Sequence, residues 1–233
     1  MCIRDSTYSE ERQVVAQELI DFDREWARMF SDRPRHEEEG GAAAGVDPKA
    51  FQAYFEQHGR FTAGVGTHYR PSLICGESTH QNLATGFVIG TRLHSAPVLR
   101  VSDARPVHLG HAGKADGRWR LYAFAGANDL QDRQAGIHAL CEFLSQSHDS
   151  PVRRHTRPGQ DVDAVFDVLA IFQQRYTEVA IDRLPGLLLP PKGRFGLRDY
   201  EKVFCPDFKH GPDVFDLRGI DRAQGALVVV RPD

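Results

Sequence analysis

Between Ser102 and Gly126 the chain reads SDARPVHLGHAGKADGRWRLYAFAG, and within it stand Asp103, Arg105, His108, His111, Asp116, Arg118 and Arg120. Imidazoles and carboxylates at such density could trade protons with a substrate or hold a metal ion. His108 and His111 have the His-x-x-His spacing that puts two ligands on one face of a helix. Pro106, Gly110 and Gly113 speak against a helix there, and no third ligand stands at a recognisable distance. The run is therefore expected to be structural, with its charged residues flanking strands and turns and satisfied by the backbone.

The other motifs each lack a residue their chemistry requires. Gly76-Glu-Ser-Thr-His80 resembles the nucleophile elbow G-x-S-x-G, but His80 stands where the tight strand-to-helix turn needs a second glycine. Gly64-x-Gly66 has no third glycine, no following helix and no Lys-Ser/Thr, so it is no nucleotide cradle. The acidic run at 36–41, HEEEGG, reads as a solvated charge run on a linker. Cys2, Cys75, Cys141 and Cys205 are far apart and form no C-x-x-C, which leaves isolated thiols rather than a disulfide framework or zinc site. No residue is assigned as catalytic, cofactor-binding or metal-binding.

The elements that would position these groups follow from periodicity. Thr7 and Glu10 fit a capping box, and Val15, Leu19, Phe22, Trp26, Met29 and Phe30 recur at threes and fours as one stripe of a helix. Residues 32–34 end it. Asp47 as N-cap and Pro48 at the first position start a second helix carrying Phe51, Tyr54 and Phe55, with Gly59 as its stop. Glycines and prolines over residues 61–96 predict loops. Short strands follow at PVLRVSD and PVHLG. An Asp116-Gly117 turn leads into a strand, RWRLYAFAG, with Trp119, Leu121 and Phe124, or Tyr122 and Ala123, inward according to register. A helix with Ile137, Leu140, Cys141 and Leu144 inward precedes a buried strand at DAVFDVLAIF. ALVVV (226–230) is apolar enough for the middle of a sheet. A strong strand at the end and a long amphipathic helix at the front, each without a visible partner, suggest a piece of a larger protein.

Length and composition set the frame. The 233 residues, 41% hydrophobic and 26% charged, are ordinary for a globular α/β protein. A formal net charge of −3 argues against a nucleic-acid partner. No apolar run reaches the ~18 residues of a membrane span, and there is no signal-peptide core, so the expected location is cytoplasmic.

Resemblance takes the reading further. TYSEERQVVAQELIDFDREWARMF resembles the helix after the flavin-contacting segment of FAD-dependent aromatic hydroxylases, matching at Tyr8, Glu11, Arg12, Val15 and Ala16, with Val14 where proline is common. SAPVLRVSDARPVHLGH, KADGRWRLYAFAG, GRFGLRDYEKVFCPD and VFDLRGIDRAQGALVVVRPD are similar to the C-terminal region of the phenol 2-monooxygenase and 3-hydroxybenzoate 4-monooxygenase group. The likeness covers nearly the whole chain from Thr7. It implies closing helices of a truncated flavin/substrate domain (1–60), a linker and loop region (61–100) and an incomplete thioredoxin-like α/β dimerisation domain (101–233). The full-length enzyme would use FAD, NADPH and O₂ to hydroxylate a phenolic substrate, phenol or 3-hydroxybenzoate, as a homodimer. Its G-x-G-x-x-G fingerprint and catalytic groups would lie upstream, so this part alone would be inactive, bind no cofactor and serve as scaffold and dimer contact. The alternative is a stand-alone thioredoxin-like interaction module. A thiol oxidoreductase is disfavoured, because it needs a second sulfur near the first.

Overall fold

The computed structural model of the chain describes residues 3–31, 48–134, 136–209 and 212–232. Its first helix, α1 (Ile3–Ser31), starts before the capping box, so Thr7 lies inside the helix rather than at its start. No glycine or proline stands among Ile3–Ser6 to stop it, and a box marks an end only where the preceding residues leave the helix. The second helix, α2 (Pro48–Thr62), likewise runs past Gly59. The Thr62 hydroxyl donates to the His58 and Gly59 carbonyls, at 3.3 and 3.1 Å. The turn is completed at Gly64, whose φ of +69° is open to glycine at no steric cost. Asp47, residues 32–34, the acidic run at 36–41, Cys2 and the side chains of Phe30 and Phe51 lie outside the described residues.

Clustering of the chain gives two compact units, Met1–Ser78 with Ile89–Arg92, and Thr79–Val88 with Leu93–Asp233. In the first, Phe22 of α1 meets Tyr54, His58 and Phe61 of α2 at ring separations of 5.3 to 6.0 Å, and Trp26 meets Tyr54 and Phe55. Of the predicted stripe, Phe22 and Trp26 form the seam between two antiparallel helices, while Leu19 stays 54% exposed.

The second unit contains, in chain order, β1 (Pro97–Arg100), β2 (Arg105–His108), α3 (Leu109–Ala112), β3 (Trp119–Phe124), α4 (Gly136–Gln146), α5 (Pro151–His155), β4 (Phe166–Ile171), β5 (Pro191–Lys192), β6 (Leu197–Arg198), β7 (Val203–Pro206), α6 (Val214–Leu217) and β8 (Ala226–Val230). Six strands form one mixed sheet in the order β2-β1-β7-β4-β3-β8, while β5 and β6 make a separate hairpin. β3, β4 and β7 run parallel; α4 and α5 supply the crossover from β3 to β4, and residues 172–202, which include the β5–β6 hairpin, supply the one from β4 to β7. β1, β2 and β8 are antiparallel to their neighbours.

β3 does not have one wet face, as its expected alternation would require; five of its six residues are buried. Leu121 and Ala123 join Val168, Ala170, Val203 and Cys205 under Ile137, Cys141 and Leu144 of α4. Tyr122 and Phe124 join Leu169, Ile171 and Phe204 on the other face, against Leu109, Val214 and Phe215. Neither set expected from the sequence is the observed one: Phe124 shares a face with Tyr122 and Ala123 with Leu121, Trp119 joins neither cluster, and both faces are buried because helical elements cover both. β8, expected as a strong apolar strand without a visible partner, pairs with β3 alone among the described strands. It is an edge strand, with Leu227 45% and Val229 55% exposed. The His108–His111 segment is corrected too: Leu109–Ala112 forms one short helical turn, despite its glycine.

Candidate functional site

The charged run does not stay at the surface. Arg120 lies inside β3 and is 3% exposed, not flanking the strand as expected. Its Nη2 donates to Asp116 Oδ2 at 2.8 Å, and its Nε lies 3.2 Å from Asp167 Oδ2 on the adjacent β4. Arg118 bonds Asp116 at 2.6 Å and reaches Asp163 at 3.4 Å. Lys202, just before β7, ion-pairs with Asp163 at 2.6 Å and with Asp167. Lys192 of the hairpin donates to Asp163 Oδ1 at 2.7 Å. Asp163, Asp167 and Lys202 are each 4% exposed or less. These charges come from β3, β4, the start of β7 and the hairpin, and they are held together under little solvent.

Electrostatics holds two of these carboxylates, Asp163 and Asp116, in the ionised form. Burial alone would push the Asp163 carboxyl up, but hydrogen bonds and charge from Lys192 and Lys202 outweigh it and hold it below the usual range. Asp116 is held low chiefly by its hydrogen bond to Arg118, against its own desolvation. Outside the network, in the turn between β1 and β2, Asp103 is lowered to about 2, above all by its hydrogen bond to Arg100. A carboxylate held ionised by matched cations is a poor general base.

A cavity of about 160 Å³ opens beside the network, lined by His111, Lys114, Arg118, Asp167 and Lys202, with apolar Val107, Leu169 and Phe204. His108 is not among its lining residues, and its ring centroid lies 5.6 Å from that of His111. The two histidines therefore do not converge on the acids. Among the described residues, no group of three or more His, Cys, Asp or Glu is placed to hold a metal ion. Burial pushes the Cys141 and Cys205 thiols up to about 12, which keeps them from acting as thiolates near neutral pH. The Gly64-x-Gly66 segment follows α2, and a Cβ at Gly66 would come within 3.0 to 3.2 Å of the backbone at Phe61 and Arg60. A flavin pyrophosphate is bound by amides at the start of a helix, whereas this segment sits at a carbonyl end. These residues do not fit a flavin. Among the described residues, no helix is long and apolar enough to cross a membrane.

The sequence run 102–126 contained three members of the network, Asp116, Arg118 and Arg120. Asp163, Asp167, Lys192 and Lys202 come from outside it. One signal was legible: Asp167 interrupts the apolar run FDVLAI, and Lys202 directly precedes VFC. A charge inside a strand buried on both faces needs a partner close by.

A mixed α/β domain with a sheet covered on both faces and a sealed ion cluster is the class that this geometry defines. Residues 67–233 match the model of the phenol hydroxylase C-terminal dimerisation domain, and the chain belongs to that family. It is 68% identical to the 3-hydroxybenzoate 4-monooxygenase of Comamonas testosteroni, over 97% of this chain and 35% of that protein. It is 33% identical to the FAD-dependent monooxygenase terD of Aspergillus terreus, over 97% of this chain and 37% of that protein. It is 29% identical to the phenol 2-monooxygenase fsqG of Aspergillus fumigatus, over 98% of this chain and 36% of that protein. The chain thus spans about a third of the length of the curated relatives it matches.

Proposed function

We propose that this chain is the C-terminal part of an FAD-dependent aromatic-ring monooxygenase, and that it serves there as scaffold and subunit contact. The single observation that carries this reading is the 68% identity to a 3-hydroxybenzoate 4-monooxygenase, sustained over 97% of the chain. That level favours 3-hydroxybenzoate over phenol as the substrate. NADPH would reduce the flavin, and one oxygen atom of O₂ would enter the ring ortho or para to its hydroxyl. The cofactor supplies that chemistry, and upstream segments of the longer protein position it. Residues 1–60 are read as closing helices of the flavin/substrate domain, 61–100 as a linker and 101–233 as a thioredoxin-like domain. The parallel β3–α4–β4 unit with β8 antiparallel beside β3 supports the last assignment. A cytoplasmic homodimer is the expected state.

The test is spectroscopic. The 233-residue chain should purify colourless and consume no NADPH, while the longer protein should be yellow and consume NADPH faster with 3-hydroxybenzoate than with phenol. A stoichiometric flavin spectrum from the 233-residue chain would overturn the assignment of the cofactor to upstream segments. A longer protein that binds no flavin would overturn the function.

A further inference from the structure

We propose that the cavity of about 160 Å³ beside the ion network binds a small monocarboxylate whose apolar body is about the size of one ring. The site goes beyond a scaffold role, and every residue that lines it belongs to the second unit.

Size and wall select the body. Val107 of β2, Ala112 of α3, Leu169 of β4 and Phe204 of β7 give the cavity an apolar wall. All four belong to the apolar cluster on that face of the sheet or pack against it. Leu169 and Phe204 are themselves buried, so the cavity reaches into the core. An apolar cavity of ~150 Å³ holds one benzene ring, whereas drug-sized ligands occupy pockets of ~300 Å³ or more. A single ring or a short branched chain is therefore the largest body that fits.

Charge selects the head group. Three acids line the cavity, and each already faces a cation of the same wall. Asp167 and Asp199 pair with Lys202, and Glu201 pairs with Arg100 at 2.8 Å. Arg118 is committed as well, to Asp116 and Asp163. Lys114 is left over: it is exposed and has no ion pair among the described residues. His111, three residues earlier at the end of α3, lines the same cavity and is exposed too. An ammonium without a counter-charge and an imidazole N–H, both at the solvent side, call for an anion. A carboxylate there accepts charge-assisted hydrogen bonds and keeps access to water while its body is buried. A cationic ligand is disfavoured, because no acid of the wall lacks a partner.

The test titrates the 233-residue chain with benzoate at low salt, by calorimetry and by proton NMR. Benzoate should saturate one site with a Kd of about 1 mM, as suits a ligand of so few atoms, and should move the His111 and Ala112 resonances. Lys114→Met, at an exposed position, should weaken binding about 10-fold without moving the melting temperature. Ala112→Leu adds volume at the wall and should abolish binding. Acetate lacks the body and benzamide lacks the charge, so each should bind at least about 10-fold more weakly than benzoate. No saturation by about 20 mM benzoate would overturn the site. Binding that Lys114→Met leaves unchanged would overturn it as well, even where Ala112→Leu fails to fold. Acetate or benzamide binding as tightly as benzoate would overturn the ligand class.

Discussion

Lys202 has the most at stake of any single side chain. It is 3% exposed and touches both Asp163 and Asp167. Lys202→Met should destabilise the fold by about 3–5 kcal/mol, because it leaves two buried carboxylates short of a counter-charge. Urea denaturation measures this, and adding Asp167→Asn should cost less than the two single changes combined. A Lys202→Met chain as stable as the wild type would show that the cluster contributes nothing. Acid should act on Asp163 too, and on Asp116 and Asp103, which pair with arginines. Asp163, Asp116 and Asp103 all have folded-state pKa values below their unfolded ones. Their stabilisation is therefore fully present above the unfolded value of about 3.9 and is lost as pH falls through the folded values. The melting temperature should be insensitive to these groups between pH 7 and 5 and should drop below about pH 4. A Tm that holds steady down to pH 2 would contradict the ionised network.

At the scale of elements, helix starts and turns hold the sheet in order. Asp129 accepts from the Gly126 and Ile137 amides, both at 3.1 Å, and so closes the turn that leads into α4. Gly136 sits between them at φ +52°, where a Cβ would fall 2.1 Å from the Asp129 carboxylate. Gly136→Ala should cost more than the ~1 kcal/mol typical of a left-handed site, since the carboxylate must also move. Ala104, between β1 and β2, is the opposite case: a non-glycine residue at φ +54°. Ala104→Gly should raise stability by up to about 1 kcal/mol by removing that strain. Thermal melts of the two variants should move in opposite directions. Equal shifts of one sign would mean that backbone strain does not govern these turns.

At the scale of the whole molecule, both buried apolar clusters consist entirely of residues from the second unit. A chain cut to residues 79–233 should therefore keep its sheet and melt cooperatively within a few degrees of the parent, as followed by circular dichroism. A broad, non-cooperative melt would show that the first unit is needed to complete the core. Much of this architecture was legible in advance. The helix around Cys141, the apolar strand at residues 166–171 and the turn at Asp116-Gly117 follow from periodicity and turn chemistry alone, because those signals act within a few residues. The family, too, was legible, because long stretches of residue identity survive without coordinates.

Position in the sheet was not legible. ALVVV has the composition of a central strand, and only the pairing order makes it an edge, because strand order depends on chain crossings far away in sequence. Nor does a charged run announce that it will be buried. Arg118 and Arg120 read as surface residues until β4, β7 and the hairpin bring Asp163, Asp167, Lys192 and Lys202 to meet them. The sequence by itself determined the main helices and apolar strands, though not all their ends, and the kinship. Only the tertiary structure decided which charges are brought together and where each strand lies in the sheet, since both depend on which distant segments become neighbours.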